Sequence, residues 1–241
     1  MWRDVKVRYK QTALGAAWAL LQPLLAMCIF SLFFGRLARI GSDGIPYPLF
    51  SLAGLVPWTY FSFGLTEAAT SVVGSRQLIT KVYFPRLAIP LAPVLAGLVD
   101  FAIAFALLIV VMAWYGFVPG AGLLLVPLLV LLTAVSSFGA GLWLAALNVQ
   151  YRDVRYVLPF LAQIWLFATP VVYPSSLVPA AWRPLYGLNP MVGVVDGFRW
   201  ALLGTGSPWG TLAVSVLSAG ALVAGGAYYF RRMERSFADM V

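Results

Sequence analysis

The stretch Leu87–Tyr151, LAIPLAPVLAGLVDFAIAFALLIVVMAWYGFVPGAGLLLVPLLVLLTAVSSFGAGLWLAALNVQY, runs for 65 residues with one charged side chain, Asp100. A bilayer crossing takes roughly 20 apolar residues, so a run of this length reads as two crossings with a connection between them. The cluster Gly116-Phe117-Val118-Pro119-Gly120 supplies that connection, because Gly and Pro end helices and open turns. Backbone polar groups in lipid must be satisfied within their own segment, so these crossings are read as helices.

Working outward, 25 uncharged residues lie between Lys10 and Arg36, which predicts a first span over about Ala13 to Phe34. It is too long for a signal-peptide core, and no small-residue cleavage site follows it, so it is expected to be retained. The turn-rich Gly41-Ser42-Asp43-Gly44-Ile45-Pro46 leads into a second span, Leu49 to Val73, interrupted only by Glu67. The 65-residue run gives spans three and four, Tyr156 to about Tyr173 span five, and Trp209 to Phe230 span six. Whole-chain composition agrees: of 241 residues, 62% are hydrophobic and 10% charged, far from the roughly 25% charged content of soluble domains. The mean hydropathy is +0.90. The fold class expected is all-α integral membrane, a single transmembrane domain over 1–241.

Charge placement predicts the orientation. Of the 16 Lys and Arg residues, 12 fall at the N-terminus, in the loops near 76–86 and 148–156, and at the C-terminus; Arg36, Arg39, Arg183 and Arg199 fall on the other face. Because basic residues concentrate on the cytoplasmic side, both termini are expected there. The formal charge of +8 is thereby explained by orientation and anionic headgroups, and no nucleic-acid partner is expected. The segment PMVGVVDGFRWALL, Pro190 to Leu203, is apolar but has only 14 residues and contains Asp196 and Arg199. A seventh span there would move Arg231, Arg232 and Arg235 outside. Residues 174–208 are therefore read as a re-entrant or interfacial hairpin on the outer face, with Asp196 and Arg199 spaced to pair on one helical face.

Several chemistries are excluded. With no His and a single Cys, Cys28, the chain cannot assemble a zinc cluster, a disulfide framework or a His-based catalytic pair. No G-x-x-x-x-G-K-[ST] loop occurs, so a nucleotide-driven step would reside on another polypeptide. No catalytic residue and no metal ligand are assigned. Met1 to Lys10 alternates apolar and basic residues (Trp2, Arg3, Lys6, Arg8, Tyr9, Lys10), a pattern that suits an interfacial helix over 1–12. In the 76–86 loop, Leu78 and Val82, and Ile79 and Tyr83, stand four apart. Pro85 biases Phe84 out of helical geometry. That gives a short amphipathic helix that could rest on lipid or fill a partner's groove, and spacing alone does not choose. Glu67 and Asp100 should face protein or water, because a charge within lipid costs several kcal/mol. Glu67 reads as a structural pairing group; Asp100 leaves a polar lining or proton relay open beside an interhelical contact. Gly193-x-x-x-Gly197 is a weak close-packing signal.

Short motifs in order along nearly the whole chain resemble the permease subunits of ATP-binding cassette exporters for polysaccharides and polyol phosphates. They are Arg3-Asp4-Val5-Lys6-Val7-Arg8-Tyr9-Lys10 with Leu14-Gly15, Trp18 and Pro23; Gly54-Leu55-Val56-Pro57-Trp58; Lys81-Val82-Tyr83-Phe84-Pro85-Arg86; Asn148-Val149-Gln150-Tyr151-Arg152-Asp153-Val154; Trp182-Arg183-Pro184; and Leu188-Asn189-Pro190-Met191. The resemblance implies six spans and a homodimer around a conduit in the bacterial inner membrane. It also implies two separately encoded ATPase subunits carrying ATP and Mg, and a lipid-linked glycan such as O-antigen, capsule or teichoic acid as substrate. By position it makes Gln77, Leu78, Ile79, Lys81, Val82, Tyr83 and Phe84 the coupling helix. It makes the hairpin, with Trp182, Asn189, Pro190, Asp196 and Arg199, the outer gate. Two rivals stand beside this reading: an intramembrane transferase or polymerase on lipid-linked sugars, which would need clustered acids, and a proton-coupled transporter, which would normally show repeated halves.

Overall fold

The computed structural model describes residues 15–75, 85–234 and 237. Among them every regular element is helical. Five helical stretches are long and apolar enough to cross a membrane: Leu20–Leu37, Tyr47–Gly74, Ala88–Trp114, Ala121–Gln150 and Trp209–Met233. In chain order, α1 is Gly15–Phe30, extended by a π-helical segment Ser31–Leu37. Then follow α2 Tyr47–Gly74, α3 Ala88–Trp114 and α4 Val126–Gln150, the last preceded by a 3-10 turn at Ala121–Leu125. The remaining helices are α5 Val154–Phe167, the one-turn α6 Arg183–Tyr186, α7 Pro190–Leu203 and α8 Trp209–Met233. Gly116 takes φ 74° in the turn between α3 and the 3-10 segment, a conformation glycine reaches without steric cost.

Helix α2 is the centre of the molecule. It packs on α1, α3, α4, α5 and α7, and Leu49, Leu52, Val56, Phe61, Leu65 and Val72 are almost fully buried along its length. Small residues set the close approach of α2 to α4. A Cβ on Gly64 would come within 2.9 Å of Ser137, and one on Gly141 within 2.6 Å of Ala68. In lipid, where no hydrophobic force pulls helices together, such close packing is a main source of association. Asn148 adds a polar tie, its Nδ2 donating to the Ala69 carbonyl at 3.0 Å. At the same end of the bundle, Arg86 donates to the Glu234 carbonyl just beyond α8.

The periphery is bare by comparison. On α1, Trp18, Leu25, Ile29 and Phe33 are each about half exposed, and α5 buries only Leu158. Helix α7 is the opposite: 14 residues long, too short to cross, yet Met191, Val192, Val194, Val195 and Phe198 have no accessible surface. Both members of the Gly193/Gly197 pattern serve close packing, since a Cβ on Gly193 would meet Ser215 of α8 at 2.6 Å and one on Gly197 would meet Leu129 of α4 at 2.7 Å.

One span differs from the sequence expectation. Span five is expected to run to Tyr173, but α5 ends at Phe167, and Ala168–Pro174 continues as turns. Pro170 and Pro174 lack backbone N–H groups and cannot extend the helix. The carbonyls this break releases are met partly within the segment and partly by side chains from other elements, and that accounting defines the site described next.

Candidate functional site

Six consecutive carbonyls, Phe167 to Val172, have left the helix, and each has a donor. Tyr173 Oη donates to Phe167 O at 2.8 Å. Asn189 Nδ2 donates to Ala168 O at 3.0 Å, and the Val171 amide to Thr169 O at 2.7 Å. Arg199 donates to Pro170 O and, at 2.8 Å, to Val171 O. Tyr47 Oη donates to Val172 O at 2.6 Å. Non-helical backbone at membrane depth is tolerated only when protein satisfies it in this way.

Arg199 is the keystone. It comes from the buried side of α7 and is 3% exposed. Its guanidinium also reaches Phe50 O of α2 at 3.4 Å and lies 3.5 Å from the centre of the Phe50 ring. One planar cation thus joins α2, α7 and the broken end of α5, using a fork of donors that Lys does not possess. Gly54 makes room for it, since a Cβ there would lie 2.9 Å from Arg199 Nη2. The direct pairing of Asp196 with Arg199 expected from their spacing gives way to this arrangement. The hydrogen bonds of the guanidinium go to backbone carbonyls, while the carboxyl acts on it as a nearby charge and accepts from Ser175. Carbonyls stranded by Pro170 and Pro174 need donors, and the guanidinium is the donor within reach.

Charge and burial shape the two ionisable groups. Burial pushes the Asp196 carboxyl up to about 6, against the opposing pull of Arg199 and the Ser175 hydrogen bond. Burial brings Arg199 down to about 10, which leaves it cationic at neutral pH. Between them lies a cavity of about 50 Å³, bordered by Asp43, Phe50, Ser175, Asp196, Arg199 and Thr205. The loop before α2 is fastened to the hairpin here, with Ser176 Oγ donating to Asp43 Oδ1 at 2.9 Å. Asp43 has φ 50°, a left-handed position that Asp tolerates better than most residues.

Asn189 is the second joint. As N-cap of α7 it accepts from the Met191 amide at 3.1 Å, and the same oxygen accepts from Trp165 Nε1 at 2.9 Å. Its amide nitrogen serves Ala168 O and Thr169 Oγ1, both at 3.0 Å. Pro190 occupies the first helical position, where a missing N–H costs nothing. Gly204, at φ 72°, closes the far end of α7. Trp182 is different, 61% exposed on a 3-10 turn and outside both joints. Tyr47, Phe50, Trp165 and Ser175 belong to the site but not to the sequence-level candidates; the two prolines in Thr169-Pro170-Val171-Val172-Tyr173-Pro174 are the signal that points to them.

Other sequence candidates lie apart. Glu67 is on an exposed side of α2, and Asp100 is partly buried on α3. The interfacial candidates Trp2, Arg3, Lys6, Arg8, Tyr9 and Lys10, and the coupling candidates Gln77 to Phe84, lie outside the described residues. No group of three or more His, Cys, Asp or Glu that could hold a metal occurs among the described residues.

Fold and site together define a multi-pass helical membrane protein with a buried, non-spanning helix sealed against a broken span. Residues 1–203 match the model of the ABC-2 type transporter family, and the chain belongs to that family. Among its relatives is the O-antigen export system permease protein RfbA of Myxococcus xanthus, 34% identical over 200 residues, which cover 82% of this chain and 76% of that protein. A Klebsiella pneumoniae protein of the same name is 26% identical over 240 residues, 99% of this chain and 92% of the relative. The polysialic acid transport protein KpsM of Escherichia coli is 24% identical over 202 residues, 83% and 78% of the two chains.

Proposed function

We propose that this chain is the transmembrane subunit of an ATP-driven exporter that carries a lipid-linked polysaccharide or polyol-phosphate polymer out across the bacterial cytoplasmic membrane. The observation that carries the reading is the near-full-length relationship to O-antigen export permeases. A 241-residue chain without a phosphate-binding loop takes its energy from a partner, so ATP and Mg belong to two separate ATPase subunits beneath a pair of these chains. The 76–86 loop is the lever that receives their motion, and residues 1–12 lie along the inner interface. The hairpin, 174–208, is the gate at the outer end of the conduit, held shut by the Arg199 and Asn189 joints. This reading places both termini in the cytoplasm.

The test is to delete the chain and locate the lipid-linked glycan. Accumulation of finished glycan in the inner leaflet supports export. Loss of glycan synthesis overturns it in favour of an enzyme.

A further inference from the structure

Helix α2 is buried on nearly every side, yet one edge of it is not. Thr59, Ser62, Thr66 and Thr70 follow at spacings of three and four and are all partly open, with the exposed Glu67 beside them. Phe63 shares this edge and packs towards α3, where a Cβ on Gly97 would come within 2.8 Å of it. Hydroxyls on a spanning helix are ordinary, but a carboxylate is not. Glu67 lies seven residues inside the end of α2, about 10 Å at 1.5 Å per residue. An ionised carboxylate at that depth is not left facing hydrocarbon.

The hydroxyls have a definite polarity. Thr59 Oγ1 donates to Val56 O at 3.0 Å, Thr66 Oγ1 to Ser62 O at 2.9 Å, Thr70 Oγ1 to Thr66 O at 3.0 Å, and Ser71 Oγ to Ala68 O at 2.7 Å. A hydroxyl has one hydrogen, and on this edge those of Thr59, Thr66 and Thr70 are spent on their own helix. What they present outward is lone pairs, and Glu67 presents more of the same. Apart from the Ser62 hydroxyl, the edge accepts hydrogen bonds and does not offer them, which suits a partner rich in hydroxyl donors and opposes an anion.

We propose that this edge of α2 is a wetted, acceptor-rich track along which uncharged, hydroxyl-rich polymer segments pass. The inference rests on the exporter reading and narrows it: the cargo taken along this track is a neutral glycan and not a polyol phosphate, whose repeating anions would meet Glu67 and the lone pairs without compensation.

The test uses the full exporter complex in membranes, with Cys28 replaced by Ala and single cysteines placed at Thr66 or Thr70. Both should react with small hydrophilic methanethiosulfonates, the cationic reagent at least tenfold faster than the anionic one, and Glu67→Gln should reduce that ratio. Cysteines at Val110 and Leu131, exposed apolar positions of α3 and α4, should stay unreactive. In cells, Glu67→Lys should lower surface glycan at least tenfold and Glu67→Gln should lower it by less, with ATPase co-purification unchanged in both. Unreactive cysteines at 66 and 70, or their disulfide cross-linking between two copies, overturns the track and leaves the exporter reading intact. So does full export by Glu67→Lys, or a complex shown by analysis of its glycan to carry a polyanion. Glycan that still reaches the surface after the chain is deleted defeats the exporter reading itself, whatever the cysteines do.

Discussion

Arg199 holds three carbonyl groups and an aromatic face at once, so its replacement leaves several buried acceptors without donors. Each orphaned acceptor costs about 1–3 kcal/mol. Arg199→Ala should therefore lower the thermal stability of the purified protein markedly. Arg199→Lys should recover only part of the loss, because a single ammonium cannot span Phe50, Pro170 and Val171. Equal melting temperatures for Arg199→Lys and the unmodified protein would contradict the joint. Asp196 gives a pH signature. Its folded-state carboxyl titrates near 6, above the roughly 3.9 of an unfolded Asp, so the folded state holds the proton more tightly. Stability from this group is therefore full below pH 4 and declines as pH rises towards 6. A melting-temperature series from pH 4 to 7.5 should show that decline, and Asp196→Asn should flatten it.

Among the elements, the long spans were readable and the joints were not. Leu49 to Val73 and Trp209 to Phe230 come close to α2 and α8 because twenty or more apolar residues in lipid have only a helix to adopt. Span five misled because hydropathy counts Pro170 and Val171 as apolar residues and says nothing of where their carbonyls go. Helix α7 was legible in its bounds, since the apolar segment Pro190 to Leu203 is the helix that forms. That Arg199 would serve backbone and not Asp196 depends on three segments distant in sequence, which no local spacing records. The coupling loop is tested at this scale. Replacing Leu78, Ile79, Val82 and Tyr83 together with Ala removes the apolar stripe and keeps the charges. The variant is expected to insert and to lose ATPase co-purification and export together. Retention of both would mean that the stripe rests on lipid.

For the whole molecule, the uneven distribution of burial is the informative feature. α2 is enclosed except along its edge from Thr59 to Thr70, whereas α1 and α5 turn large apolar side chains outward, and Cys28 is itself exposed. These surfaces are available to lipid and to a second copy. The orientation can be measured after Cys28 is replaced: single cysteines at Ser42 and Ser176 should label with an impermeant maleimide from outside intact cells. Those at Ser75 and Ser236 should label only after permeabilisation. External labelling at Ser236 would reverse the assignment of the C-terminus and reinstate a seventh crossing.

The Arg199 joint also imposes an order on biogenesis. A ribosome makes Phe50 first, Pro170 and Val171 next, and their common donor last, so a nascent chain that stops short of residue 199 carries a broken span whose Pro170 and Val171 carbonyls lack their donor. Such a chain has its core helix in place but no means of finishing the end of α5. Chains truncated after residue 190 should be degraded much faster than chains truncated after residue 208, although the two differ by no complete membrane crossing.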